Sequence, residues 1–147
     1  MDSIKFYLND YDMKGEGLTK VVVTINDKPL LELIRQRERS FAAKDGQASI
    51  AGSYAYLNLI DFEELFLRAA LEADLAQDER DVVLLSCPCG IWSCWYLTLR
   101  VKFEADTVKL YEFKNPRRKD WRYGLEFKFD RVSFVGEISK ITSFNKL

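Results

Sequence analysis

Residues Trp95 to Phe113 read W-Y-L-T-L-R-V-K-F-E-A-D-T-V-K-L-Y-E-F. Trp95, Leu97, Leu99, Val101 and Phe103 occupy alternate positions, with Tyr96, Thr98, Arg100 and Lys102 between them. A period of two belongs to a strand with one face on a core and the other in water. Trp95, Leu97, Leu99 and Val101 are therefore expected to face the core. Ala105-Asp106 supplies a turn, and Thr107 to Phe113 alternates again. One-sided alternation of this kind is the mark of antiparallel sheet.

Outward from this pair, Val82 to Ser86 is an apolar run that fits a buried strand, and Leu125 to Phe129 fits a short one. Asp130 stands where it can cap a final helix, with Val132, Val135, Ile138 and Ile141 on one face. At the other end, Ile4 to Leu8 and the β-branched run Leu18 to Ile25 read as a hairpin. Its turn is expected from Asn9-Asp10-Tyr11-Asp12 through Gly15 and Gly17. Asn26 or Asp27 is expected to cap a helix with Pro29 in its first turn and Leu30, Leu31, Leu33 and Ile34 on its apolar face. That helix is expected to end near Ala43, ahead of Asp45-Gly46. Residues 44–53 read as a loop, and Tyr54 to Ile60 as a weakly alternating strand. Asp61 with Glu64 resembles a capping box for a helix over 62–75, with Leu65, Phe66, Ala69 and Ala70 at helical spacing. Asp78 to Asp81 reads as a polar break. Without an internal repeat, linker or low-complexity tract, the expectation is one α+β domain over residues 1–147, mainly antiparallel sheet with about three helices packed on it.

Composition narrows the chemistry. The 147 residues carry 22 Lys and Arg against 23 Asp and Glu, so no global basic field exists to attract nucleic acid. Histidine is absent. That excludes Ser-His-Asp and Cys-His catalysis and any zinc site needing an imidazole. Aromatic residues are 14% of the chain, a rich supply for a core or an interface. Met1 to Lys5 is not a basic start followed by an apolar run, so no signal peptide is expected. No apolar segment is long enough to span a membrane. A cytoplasmic location with reduced thiols is the expectation.

All three cysteines lie in S-C-P-C-G-I-W-S-C-W, Ser86 to Trp95. In an extended chain Cys87 and Cys89 point the same way, and Gly90 allows a turn that returns Cys94. Three thiolates could converge there, yet a structural zinc site wants four ligands and commonly uses C-x2-C pairs. No C-x-x-C redox motif is present. Free cysteine is among the most buried residue types. The expectation is that these are packing groups in a tight turn and that no cofactor is bound. Zinc on Cys87, Cys89 and Cys94 is the alternative.

The C-terminal half also resembles a family of small bacterial proteins of uncharacterised function. The resemblance lies in C-P-C-G-I-W-S-C-W (Cys87 to Trp95), F-x-N-P-x-R-x-x-W-x-Y (Phe113 to Tyr123) and F-x-F-D-R (Phe127 to Arg131), within residues 81–135. It implies no activity, and Arg117 departs from its pattern. In general character it is similar to toxin-immunity proteins.

Two charged regions remain. Lys114, Arg117, Arg118, Lys119 and Arg122 crowd one loop, interleaved with Phe113, Trp121 and Tyr123. Such a loop can grip phosphate and stack on bases. Charge runs are ordinarily solvated surface, so nucleic acid is not the expected partner. The opposite pole holds Asp61, Glu63, Glu64, Glu72, Asp74, Asp78, Glu79 and Asp81, opposed by Arg68 and Arg80. Such a surface suits a basic protein partner, and Tyr54, Tyr56 or Phe62 could supply an aromatic anchor. The expectation is a binding protein rather than an enzyme. It would be a small bacterial immunity protein that occludes the active site of a cognate toxin, such as a nuclease. The metal- or thiol-dependent protein and the nucleic-acid module are the alternatives.

Overall fold

A computed structural model describes residues 1–10 and 19–145. The expected turn through Tyr11, Asp12, Gly15 and Gly17, and Leu18 at the start of the second strand, lie outside the described residues. The fold is α+β, with two antiparallel sheets.

The first sheet has the order β1 (Ile4–Asp10), β2 (Thr19–Ile25), β3 (Lys28–Pro29). β1 and β2 pair as expected, Ile4 opposite Ile25 and Leu8 opposite Val21. Asn26 and Asp27 do not cap a helix. Both adopt positive φ, 52° and 64°, and form the two-residue turn between β2 and β3. Asn and Asp tolerate this left-handed backbone, which suits the twist of a tight hairpin. Helix α1 (Leu30–Lys44) begins directly after Pro29. Its first-turn Leu31 N–H donates to the Tyr56 hydroxyl at 3.2 Å.

The second sheet has the order β4 (Ala55–Tyr56), β5 (Glu79–Ser86), β6 (Leu97–Phe103), β7 (Thr107–Lys114), β8 (Phe127–Asp130). The opening alternation is realised in β6. Leu97, Leu99, Val101 and Phe103 are buried, while Trp95, just before the strand, is half-buried. Only Ala55 and Tyr56 of the expected 54–60 strand pair with β5. Polar Glu79 to Asp81 extend β5 rather than breaking the chain. Isolated bridges join Lys20 to Asn58 and Asp2 to Phe129, so backbone bonding links the two sheets at both ends.

The segment from Leu59 to Ala76 runs as α2 (Leu59–Phe62), a π-helical stretch (Glu63–Leu67) and α3 (Arg68–Ala76). Its cap is Asn58, whose side chain accepts the Asp61 N–H at 2.8 Å, not Asp61 itself. An Asn before the first helical residue satisfies one of the helix's unpaired donors. Helix α4 (Arg131–Asn145) is capped by Asp130 as expected, which accepts from Ser133 N–H at 2.9 Å. Its buried face is Phe134, Ile138 and Ile141, while Val132 and Val135 are exposed. Phe134 decides the rotation. Its ring lies 5.8–6.5 Å from those of Phe6, Phe66, Phe103 and Phe129, in a cluster joining both sheets to the helices.

Candidate functional site

The acidic segment divides into paired and unpaired charges. Asp74 is bound to Arg131 at 2.5 Å, Asp78 pairs with Arg80, and Glu79 and Asp81 both face Arg100 at 3.4 and 3.1 Å. These four carboxylates serve local structure. Glu64 and Glu72 are exposed and enter no ion pair among the described residues, and Glu63 is exposed beside them. The expected aromatic anchors do not stand on this surface. Phe62 is buried in the phenylalanine cluster, 5.5 Å from Phe6. Tyr54 is buried and Tyr56 is half-buried against α1. The exposed apolar groups are instead Ile60 (67%), Leu71 (46%) and Leu75 (86%). Residues 60, 64, 68, 71 and 75 recur in steps of three and four, so Ile60, Glu64, Arg68, Leu71 and Leu75 form the solvent stripe opposite the buried Phe62, Phe66, Ala70 and Ala73. Where Asp74 and Arg131 join α3 to α4, the adjacent Val132 is 80% exposed.

The basic loop is differently employed than its composition suggests. Phe113, Trp121 and Tyr123 are buried, so none presents a ring face for base stacking. Arg117 donates to the Ser93 carbonyl at 3.2 Å. Arg118 lies 5.1 Å from the Trp95 ring and 5.9 Å from the Trp121 ring, and donates to Gln47 at 3.1 Å. Arg122 donates to the Lys119 carbonyl. Arg117 and Arg118 thus fasten this loop to its neighbours, while Arg122 bonds within it. Lys114, Lys119 and Arg122 line a cleft of about 730 Å³ beside β7, together with Glu112 and the buried aromatic side chains.

The cysteine turn departs furthest from expectation. Cys89 and Cys94 are exposed and Cys87 is half-buried, so none is a core group. The three sulfurs lie within 4.8 Å of one another. Gly90, at φ +97°, reverses the chain after Cys89. A short helical turn over Trp92–Cys94 then brings Cys94 back, its N–H donating to the Ile91 carbonyl at 3.1 Å. The Cys89 N–H points at the Cys87 sulfur at 3.4 Å. A hydrogen bond between the two side chains raises the Cys87 thiol and lowers that of Cys89, while the Cys89 N–H pulls Cys87 the other way.

No family model matches the chain, and no curated protein matches its sequence. Among solved structures it is similar to a chain of a CdiA-CT/CdiI toxin and immunity complex from Enterobacter cloacae. The identity is 13%, over 97% of this chain and 99% of that chain, with a TM-score of 0.48.

One site escaped the sequence reading. Glu38 of α1 is fully buried. The Tyr54 and Tyr123 hydroxyls both donate to its Oε2, and the Gly52 N–H donates to Oε1 at 2.7 Å. Buried Asn115 completes the network, donating to the Tyr54 hydroxyl at 2.8 Å. Burial is the largest influence on Glu38 and raises its pKa against the opposing pull of these donors. Burial, with the neighbouring carboxylate, also pushes both tyrosine hydroxyls upward. A signal was present in the helix. Leu30, Ile34, Glu38 and Ala42 are spaced by four, which puts Glu38 on the apolar face despite its charged neighbours. The network ties α1, the 52–54 segment and the basic loop together. Fully buried and held by three donors, Glu38 serves the architecture.

Proposed function

We propose that this is a cytoplasmic bacterial immunity-type protein that neutralises a cognate toxin with a basic surface, such as a nuclease, by covering its active site with the α2–α3 face. The observation that carries this reading is the solvent stripe of Ile60, Glu64, Arg68, Leu71 and Leu75, flanked by Glu72. Three large apolar groups on one exposed stripe, set among carboxylates, are what a protein partner with a basic rim would bury. Glu64 and Glu72 would speed encounter with a positive surface. Leu75, 86% exposed, would then contribute most of the roughly 1.5–3 kcal/mol of a fully buried leucine, and Leu71, 46% exposed, about half of it.

The test begins with in-cell crosslinking in the source bacterium, followed by purification of the crosslinked protein and an assay of its activity. Inhibition at one equivalent is expected. Glu64→Lys with Glu72→Lys should slow association at least about tenfold at low salt, and less at high salt. Leu71→Ser with Leu75→Ser should mainly speed dissociation. A partner inhibited with unchanged rates in both double variants would overturn the surface assignment. A bound partner whose activity is untouched would overturn the neutralising role.

A further inference from the structure

We propose that Cys87, Cys89 and Cys94 form a three-thiolate site for a thiophilic cation of the zinc class, with a fourth coordination position left open to solvent or to a ligand from another molecule. This goes beyond the partner-binding role and uses a different part of the chain.

Three observations converge. The first is geometric. A tetrahedral zinc site with Zn–S bonds of about 2.3 Å places its sulfurs roughly 3.8 Å apart. The three sulfurs here already lie within 4.8 Å, so a contraction of about 1 Å closes the set. The second is exposure. Packing does not account for thiols at the surface, and exposed free cysteine is an oxidation liability. The third is support for negative charge. The Cys89 N–H already points at the Cys87 sulfur. A backbone donor favours thiolate over thiol.

Ligand softness selects the ion. Thiolates prefer zinc or copper(I) to magnesium or calcium, which require oxygen donors. Among the described residues no carboxylate joins the three sulfurs, so the protein supplies three ligands. A three-ligand set with one open position is the pattern of an exchangeable or reactive site rather than a closed structural one. Binding exchanges three thiol protons for the divalent ion. The product is a trithiolate complex with one net negative charge, and no oxidation occurs.

The full chain, reduced and held without oxygen, should be titrated first with cobalt(II) and then with zinc(II). The expected result is one equivalent of cobalt, with a thiolate-to-metal charge-transfer band and visible bands of tetrahedral intensity. Zinc should then bleach these bands at one equivalent, and zinc should protect all three thiols from alkylation. Cys89→Ser and Cys94→Ser, both at exposed positions, should each abolish the tetrahedral spectrum while keeping the circular dichroism and melting temperature of the parent. Reduced protein that shows no charge-transfer band would overturn the proposal. So would bands that survive either serine substitution, or zinc protection of only two thiols.

Discussion

Replacing Glu38 by alanine tests the buried network directly. The substitution strands three donors, the Tyr54 and Tyr123 hydroxyls and the Gly52 N–H, in a region without solvent. A buried donor without an acceptor costs about 1–3 kcal/mol, which bounds the loss at about 9 kcal/mol. Hydroxyls rotate, however, and loss of the carboxylate removes its own desolvation cost. The expected destabilisation is therefore about 3–4 kcal/mol, or roughly 6–15 °C in Tm. Glu38→Gln should fall between alanine and the parent. Its amide oxygen can accept both hydroxyls, but its NH2 then faces the Gly52 N–H, at a cost of about 1–3 kcal/mol. Acidity adds a second readout. Burial raises the folded pKa of Glu38 above its ordinary 4.5, so between these values the folded state holds more protons than the unfolded. Stability from this group is thus fully present below about 4.5 and is lost as pH rises through the folded value. Urea unfolding of the parent and Glu38→Gln across this range should show their stability gap narrowing with rising pH. A gap that widened, or an alanine variant melting within about 2 °C of the parent, would refute the reasoning.

Other outcomes follow from single contacts. Gly52→Ala should destabilise by more than about 1–2 kcal/mol, because Gly52 has φ +68° and an added Cβ would sit 2.6 Å from Arg35 Cβ; an unchanged thermal melt would contradict this. Asn58→Ala removes the cap of α2 and should cost about 1 kcal/mol by chemical denaturation, with Asn58→Ser restoring most of it, whereas Asn58→Asp would face the Asp61 carboxylate that the Asn58 amide now donates to. Arg118→Ala should shift and weaken the tryptophan emission difference between native and unfolded states and cost about 1–2 kcal/mol, since the guanidinium bridges Trp95 and Trp121. Arg118→Lys should not restore it fully, because a single ammonium cannot reach both rings and Gln47 as the wider guanidinium does.

Much of the architecture was legible in the sequence because burial is locally periodic. The alternation from Leu97 to Phe103 and again from Thr107 to Phe113 appears as β6 and β7, and Asp130 caps α4 as its position suggested. The errors arose where a local signal competed with a longer-range one. Asn26-Asp27 before a proline resembles a helix cap, yet the same residues suit a left-handed hairpin turn, and pairing of Lys28 with Ile25 selected the turn. Helical spacing puts Val132 and Val135 on an apolar face, but Phe134 fills more space among four other rings and sets the rotation of α4.

The candidate sites divide in the same way. By itself the sequence determined the chemistry available: no imidazole, three thiols in one turn, and an acidic segment remote from a basic loop. Which charges remain free was decided only by the tertiary structure, since Asp74 meets Arg131 and Asp81 meets Arg100 across strands and helices far apart in the chain. The same holds for Glu38, Tyr54, Asn115 and Tyr123, which share a network only because α1 packs against the loops beside β4 and β7. Periodicity reports which side of an element meets the core. It carries no information about which group on another element will be there, because that depends on register and packing between segments that the local pattern does not encode.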